Sequence, residues 1–194
     1  ARATDIEVEV TNGVVTLTGS VPSYTQRSFA TTNAWSIAGV TGVTNLLTVS
    51  FPATLTVPTD ETIKNNVKST LAWNAAVNSP NIEISVINGK VTLEGTVEDY
   101  WQKWRAEDLA SDLSGVLSVE NHLTVVPTRD IVDQDIAEDI ESALERNLYV
   151  DSEDVTVKVE DGDVTLTGTL PTYYARQKAY DAAANTLGVI NVVN

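Results

Sequence analysis

Apolar and polar positions alternate on both sides of a two-residue turn at three places in the chain. The three segments are IEVEVTNGVVTLTGSV from Ile6, IEISVINGKVTLEGTV from Ile82 and VTVKVEDGDVTLTGTL from Val155. A period of two is typical of strands with one buried face, and Asn-Gly or Asp-Gly between such runs favours a type I′ turn. The pattern therefore predicts three β-hairpins.

The same spacing relates features beyond the turns, which indicates an internal repeat of about 75 residues. The features that align without gaps are the turn glycines (Gly13, Gly89, Gly162), the strand-end glycines (Gly19, Gly95, Gly168) and three tyrosines (Tyr24, Tyr100, Tyr173). The chain is therefore predicted to hold three tandem copies of one small α/β module.

A helix is predicted after each hairpin. Ser23 and Asp99 are N-cap residues, with Gln26 and Gln102 three positions later in a capping-box arrangement, and Thr172 caps the third helix. Small residues recur along the buried face, and each helix ends at a glycine that a β-rich stretch follows. The glycines are Gly39, Gly115 and Gly188.

A second, amphipathic helix is predicted before the last two hairpins. Its apolar positions are Ile63, Val67 and Leu71 in one case and Ile136, Ile140 and Leu144 in the other. The predicted fold class is α+β, with tandem αββαβ modules that each pack two helices on one face of a three-stranded sheet.

The predicted modules span residues 1–50, 58–126 and 130–194. The first is expected to lack its first helix and the third its last strand, so only the second is complete. The stretches around Pro52–Pro58 and Pro127 are interpreted as linkers.

The composition limits the chemistry available to the chain. Cysteine is absent, which excludes disulfides, thiolate zinc sites and cysteine nucleophiles. The net charge of −15 repels nucleic-acid phosphates and anionic lipid headgroups, so no nucleic-acid partner is predicted. No apolar run approaches the roughly 18 residues of a transmembrane helix.

Each repeat has the same order of motifs: a valine-rich strand, Asn-Gly or Asp-Gly, V-T-L-x-G, a helix that begins at tyrosine, and then G-V-x-x-V-x-N. This arrangement closely resembles the BON family of bacterial osmotically inducible and nodulation proteins. The resemblance covers nearly the whole chain. It implies an αββαβ fold, a periplasmic or cell-envelope location, and attachment to phospholipid membranes or other envelope components. It brings no catalytic residues.

The middle module carries the candidate interaction site. On a helical wheel centred on Ala106, Trp101 and Trp104 point away from the buried face, and their equivalents in the other modules are not tryptophan. Exposed aromatic residues mark contact sites, although these rings could instead pack against a neighbouring module. Trp35 has a similar outward angle in the first module.

One basic position recurs just inside the helix that follows each hairpin. Its residues are Arg27, Lys103 and Arg176. They could meet phosphates or lipid headgroups, or they could lay their stems along the apolar face while their charges reach water.

The remaining candidates have structural interpretations. His122, the single histidine, aligns with Leu46 and is interpreted as structural. Seven carboxylates between Arg129 and Glu145 do not fit a calcium loop, since the sixth and twelfth positions from Asp133 are Glu138 and Leu144. They are interpreted as a solvated helix face. The carboxylates are Asp130, Asp133, Asp135, Glu138, Asp139, Glu141 and Glu145.

These observations predict a non-catalytic, envelope-associated binding or scaffold protein connected with stress or envelope maintenance, which contacts a protein partner. A peripheral phospholipid-binding module is the alternative, and a cation-binding or enzymatic accessory domain is a distant third. No cofactor and no metal are predicted.

Overall fold

The computed structural model describes residues 6–51, 56–128 and 131–194. The chain has the predicted α+β fold, and its described residues form three small sheets and five α-helices. Pro52 of the predicted linker, together with Arg129 and Asp130 of the acidic segment, lies outside the described residues.

The first repeat is built on strands β1 (Ile6–Thr11) and β2 (Val14–Val21), which pair antiparallel, followed by helix α1 (Tyr24–Trp35). The predicted third strand is divided into β3 (Gly42–Asn45) and β4 (Thr48–Val49), and both pieces run parallel to β2. The Asn45 side chain accepts the Leu47 amide N–H at 3.0 Å, which bends the backbone between them.

The second repeat begins with helix α2 (Asp60–Trp73) and a short 3₁₀ turn at Ser79–Asn81. Strands β5 (Ile82–Ile87), β6 (Lys90–Val97) and β7 (Ser118–Val125) form a sheet with β6 in the centre. Helix α3 (Tyr100–Ser111) connects β6 to β7.

The third repeat has helix α4 (Asp133–Glu145), strands β8 (Val155–Glu160) and β9 (Asp163–Gly168), and helix α5 (Tyr173–Ala184). The expectation that its last strand is missing was wrong, because β10 (Asn191–Val193) pairs parallel with β9. The Ile190 amide donates to the Gly162 carbonyl at 2.9 Å and thereby brings the chain to the sheet edge.

Two compact units are present, and the middle repeat contributes to both. The first unit comprises Ala1–Ala75, Glu83–Glu94 and Ala106–His122, and the second comprises Ala76–Ile82, Gly95–Arg105 and Leu123–Asn194.

The predicted hairpin turns and two of the predicted helix caps are present in the structure. Asn12, Asn88 and Asp161 have φ angles of 53°, 51° and 51°, as the first position of a type I′ turn requires. The Ser23 hydroxyl accepts the Gln26 amide at 3.2 Å, and the Thr172 hydroxyl accepts the Ala175 amide at 3.1 Å. Both hydroxyls therefore cap their helices as expected.

The helix faces predicted from periodicity are buried. The apolar residues of α2 and α4, which are Ile63, Val67, Leu71, Ile136, Ile140 and Leu144, are all at most 1% exposed. Full burial of such a side chain stabilises the fold by about 1.5–3 kcal/mol. Ala106 and Ala110 of α3 are similarly buried, so their helix lies close to its sheet.

Candidate functional site

The three candidate tryptophans differ in exposure. Trp104 is 46% exposed on α3, whereas Trp101 and Trp35 are half-buried. The outward direction expected for Trp101 does not leave its ring in open solvent. A helical wheel places a side chain relative to its own helix, while burial also depends on the segments packed nearby.

The most exposed tryptophan is one that the sequence interpretation did not select. Trp73, the last residue of α2, is 89% exposed. It lies about 200° around the helix from buried Leu71, at 100° per residue. The wheel that was applied to α3 would therefore have identified it.

An aromatic and cationic cluster occupies the surface of the third repeat. The rings of Tyr149 and Tyr174 meet edge to face with centroids 4.9 Å apart, and Lys178 Nζ lies 5.4 Å from the Tyr174 centroid. Lys178 Nζ also donates to Asp181 at 3.0 Å, and this hydrogen bond raises the pKa of Lys178 against the opposing effect of desolvation. Leu148, next to Tyr149, is 97% exposed.

A polar depression of about 540 Å³ lies between α4 and α5. Its lining includes Asp139, Arg146, Asn147, Lys178, Asp181 and Asn185. Both charge signs and neutral amides are present, so the depression offers hydrogen-bond donors and acceptors. Among the described residues, no group of three or more histidine, aspartate or glutamate side chains could hold a metal ion.

Two of the three basic residues considered for phosphate contact donate hydrogen bonds to backbone carbonyls of this chain. Arg27 donates from Nε to the Leu47 carbonyl at 2.9 Å and from Nη2 to the Asn45 carbonyl at 3.3 Å. Arg176 Nη2 donates to the Asn194 carbonyl at 2.6 Å. These guanidinium groups join a helix to the strand segment that follows it, and Lys103 at the equivalent position is half-buried.

The asparagine of the G-V-x-x-V-x-N motif completes the same connection. Asn45 Nδ2 donates to the Arg27 carbonyl at 2.8 Å, and Asn194 Nδ2 donates to the Arg176 carbonyl at 3.2 Å. The repeated asparagine in the sequence was the available signal for this reciprocal pair.

The acidic helix α4 has one residue with a specific structural role. Asp133 accepts the amide N–H groups of Asp161 and Gly162 at 2.8 and 2.9 Å. Asp60 makes the same pair of bonds to Asn88 and Gly89, at 2.7 and 2.8 Å. The interpretation of Asp133 as part of a solvated face was incomplete, since its carboxylate joins the helix N-terminus to the hairpin turn.

The buried glutamine of α3 connects the start of its helix to the segment before β5. Gln102 is 8% exposed, its side-chain amide donates to the Asp99 carboxylate at 3.2 Å, and its side-chain carbonyl accepts the Asn78 amide at 3.1 Å. The Gln102 carbonyl, which a capping box would direct to the Asp99 amide, therefore holds the segment that enters β5.

His122 lies on β7 with a side chain that is 61% exposed, and its Nε2 is 3.8 Å from Glu120. Glu120 also forms an ion pair with Lys90 on the neighbouring strand. The hydrogen bond from Lys90 is the main cause that lowers the pKa of Glu120, and His122 adds a smaller effect in the same direction. The histidine belongs to a surface charge cluster.

Side chains also connect successive repeats within each unit. In the first unit, Thr25 Oγ1 donates to Asp112 Oδ1 at 2.9 Å. In the second, the hydroxyls of Tyr100 and Tyr180 are 2.8 Å apart, and the Tyr100 amide donates to the Val189 carbonyl at 3.2 Å. These contacts place Tyr100 at a seam between the second and third repeats.

Comparison with known proteins matches the three repeats separately. The model of the BON domain matches residues 1–50, 59–127 and 132–194. Osmotically-inducible protein Y of Escherichia coli is 34% identical over 125 residues, which are 63% of this chain and 62% of that protein. Outer membrane lipoprotein DolP of Haemophilus influenzae is 35% identical over 109 residues, 56% of each chain. The matched part thus spans less than two thirds of either relative.

A solved structure of CdsD, a structural protein of the type III secretion system of Chlamydia trachomatis, aligns with 98% of this chain and 83% of its own. The identity is 14% and the TM-score is 0.29, which is too low for a comparison of folds. Within the described part of the chain, none of the helices has the length and hydrophobicity needed to span a bilayer.

Proposed function

Because the chain belongs to the BON domain family, we propose that it is a non-catalytic binding protein of the bacterial cell envelope that contacts a protein partner through exposed helix surfaces. The names of its relatives, one osmotically inducible and one an outer membrane lipoprotein, support an envelope location and a connection with osmotic stress. The lack of cysteine and the surface position of the single histidine favour binding over nucleophilic catalysis.

The observation that carries this proposal is the exposure of Trp104. A tryptophan that is 46% exposed at the centre of a 12-residue helix leaves a large apolar surface in water. Tryptophan is enriched among the residues that dominate protein interfaces, because its ring buries a large area with little loss of side-chain freedom. A partner that covers this ring would therefore gain affinity from it.

Site-specific photocrosslinking in cells of the source organism tests the proposal. A photoreactive phenylalanine analogue at position 104 is expected to give a discrete adduct with one protein, and the same analogue at Lys68, an exposed polar position of α2, is the matched control. With the purified partner, Trp104→Ala should weaken binding by about tenfold or more, and Trp104→Phe should restore part of it. Identical adducts from both positions, or none from position 104, would reject the proposed surface.

A second function is favoured by a different observation. The first helix of the second and third repeats ends in exposed apolar residues, with Trp73 closing α2 and with Leu148 and Tyr149 just after α4. Tryptophan and tyrosine prefer the interface between lipid and water, so these helix ends could contact a membrane surface. Arg27 and Arg176 already donate hydrogen bonds to backbone carbonyls of this chain. Membrane contact would therefore depend on the aromatic residues and not on these two arginines.

Cosedimentation with vesicles separates the two functions. Membrane contact predicts binding to zwitterionic vesicles that Trp73→Ser weakens and Trp104→Ser does not. Anionic vesicles should bind less well, because the chain carries a net charge of −15. Failure to sediment with either vesicle type at low salt would eliminate the membrane function and leave the protein-partner proposal standing.

A further inference from the structure

The turn of the second hairpin contains a dipeptide that can modify itself chemically. Asn88 is exposed and is followed by Gly89. Asparagine is a thermolabile residue, and a glycine after it offers a backbone nitrogen that no side chain shields. When that nitrogen loses its proton to solvent, it can attack Cγ of the asparagine. The new N–Cγ bond closes a five-membered succinimide ring, and the Cγ–Nδ2 bond breaks so that the side-chain nitrogen leaves as ammonia.

Water then opens the ring at one of its two carbonyl groups. Opening at one carbonyl gives aspartate, and opening at the other gives isoaspartate, in which the backbone runs through the former side chain. The reaction therefore needs water and no other reagent. Its rate depends on how freely the glycine nitrogen can reach the asparagine side chain.

The fold holds the reacting nitrogen from two directions. The Gly89 amide donates to Asp60 Oδ1 at 2.8 Å, and the Asn88 amide donates to Asp60 Oδ2 at 2.7 Å. The Gly89 carbonyl accepts the Leu117 amide at 2.8 Å. Gly89 is itself buried, and a Cβ on it would come within 2.7 Å of the Gly115 carbonyl oxygen. Helix α2 and the segment before β7 therefore both fix this turn.

The Asp60 carboxylate opposes the reaction electrostatically. Attack requires the Gly89 nitrogen to lose its proton, and a carboxylate that accepts this N–H stabilises the protonated amide. Its negative charge also raises the energy of the amide anion, because like charges repel at this distance. A carboxylate is too weak a base to take the proton from a backbone amide, so it does not assist the attack.

The geometry of the turn opposes the reaction as well. Ring closure brings Cγ and the Gly89 nitrogen to the same side of the Asn88 Cα–C bond. The type I′ turn, in which Asn88 has a φ of 51°, keeps these two atoms apart. Rotation about that bond breaks both hydrogen bonds to Asp60, so the turn has to separate from α2 before the ring can close.

We propose that Asn88 is a deamidation site that Asp60 protects, and that the modification takes place when the N-terminus of α2 separates from the hairpin. The third repeat shows that the aspartate product fits, since Asp161 has the same φ of 51° and its turn amides donate to Asp133. Isoaspartate adds one carbon to the backbone and moves the Gly89 amide away from Asp60. A transient opening thus becomes a permanent loss of the bonds between helix and hairpin.

Mass spectrometry of the full chain tests this site. The chain is incubated at mildly alkaline pH, folded in buffer or unfolded in urea, and is then digested with trypsin. One peptide, residues 69–90, contains Asn88 together with three reference asparagines, Asn74, Asn78 and Asn81. Deamidation of Asn88 should be slower in the folded chain than in urea by about tenfold or more, because opening breaks two bonds to a charged acceptor. Chromatography separates the isoaspartate product from the aspartate product.

Variants of the protecting carboxylate give the decisive comparison. Asp60→Ala should accelerate deamidation of Asn88 in the folded chain by about tenfold or more, and Asp60→Asn, which keeps a neutral acceptor, should accelerate it less. Glu61→Ala removes an exposed carboxylate from the same helical turn, and Asp133→Ala breaks the equivalent bonds of the third repeat. Neither control should change the rate at Asn88.

Two further measurements separate local opening from loss of the fold. In Asp60→Ala, hydrogen exchange should accelerate at the Gly89 amide while the amide of Val91, in the central strand, stays protected. Faster deamidation of Asn78 as well would show that Asp60→Ala unfolds the chain, and the comparison with Asp60→Asn then carries the test. Asn88→Asp should leave the urea midpoint unchanged, since the third repeat already has aspartate at this position.

Four results would overturn the proposal. These are equal rates at Asn88 in buffer and in urea, no acceleration by either Asp60 variant, an equal acceleration by Glu61→Ala or Asp133→Ala, and a slower reaction in Asp60→Ala. The last result would make the carboxylate a promoter of the reaction and not its inhibitor. The site is separate from Trp104, so this proposal and the proposed protein contact can fail independently.

Discussion

Asp133 at the start of α4 accepts the amide N–H of Gly162 at 2.9 Å, although the two residues are 29 positions apart in the sequence. The same carboxylate accepts the Asp161 amide at 2.8 Å, so one side chain satisfies both amides of a hairpin turn. Asp60 repeats this arrangement in the preceding module. A charged acceptor thus couples the first helix of a module to its hairpin.

Asp133→Ala is expected to lower the free energy of unfolding by about 1–3 kcal/mol, because two backbone donors lose a charged acceptor. Urea unfolding measures the loss, and faster hydrogen exchange at the Gly162 amide locates it. Asp135→Ala removes an exposed carboxylate from the same helical turn and serves as the control. If both variants lose the same stability, the effect comes from the helix dipole and not from the turn.

Gly188→Ala should be more destabilising than Gly39→Ala, although both glycines have a φ of 87°. The positive φ costs an alanine about 1–2 kcal/mol at either site. At Gly188 the added Cβ also comes within 2.9 Å of Ile136 Cδ1, and such overpacking costs about 1–3 kcal/mol more. A Cβ on Gly39 would meet none of the described residues within 4 Å. Thermal unfolding of the two variants measures the difference, and equal transition temperatures would contradict it.

Tyr100→Phe and Tyr180→Phe are expected to lose about 0.5–1.5 kcal/mol each, the typical net contribution of a hydrogen bond, and the double variant should lose little more than either one. The hydroxyls are 2.8 Å apart, while the rings meet edge to face with centroids 6.4 Å apart. A double-mutant cycle by chemical denaturation measures the coupling. Strict additivity would show that the two hydroxyls do not stabilise the seam together.

Protonation of Glu120 should depend on Lys90. The hydrogen bond from Lys90 lowers the pKa of Glu120 in the folded state, so this carboxylate stabilises the fold above its unfolded pKa, and the contribution is lost as the pH falls through the folded pKa. NMR titration of the Glu120 carboxyl in Lys90→Gln should show the pKa rising toward the ordinary glutamate value. His122→Gln should raise it less, and a larger effect of His122 would reverse the assigned order of causes.

Features that depend on a few neighbouring residues were predicted from the sequence alone. The Asn-Gly and Asp-Gly dipeptides predicted the positive φ of Asn12, Asn88 and Asp161, because few other residues accept that conformation. Periodicity predicted the buried face of α2 and α4, since every third or fourth residue of a helix lies on one side. The threefold repeat then gave the order of helices and strands.

Side-chain partners distant in the sequence were not predicted. From the sequence, Arg27 was a candidate phosphate ligand. In the fold its guanidinium donates to the Leu47 and Asn45 carbonyls, which lie 20 and 18 positions later in the chain. Trp101 and Trp104 pointed outward on the same wheel but differ in exposure, because a wheel contains no information about segments that pack beside the helix.

The sequence by itself determined that the chain repeats a hairpin and a helix three times, because turn chemistry and hydrophobic period are properties of neighbouring residues. Only the tertiary structure decided which of these repeated surfaces are covered. Gly39, Gly115 and Gly188 are equivalent in the sequence, yet a Cβ on Gly115 or Gly188 would meet an isoleucine of the preceding helix at 2.8 or 2.9 Å, whereas none of the described residues lies within 4 Å of a Cβ on Gly39. Burial depends on which segments, distant in the sequence, pack against a surface, and the spacing of neighbouring residues gives no information about that.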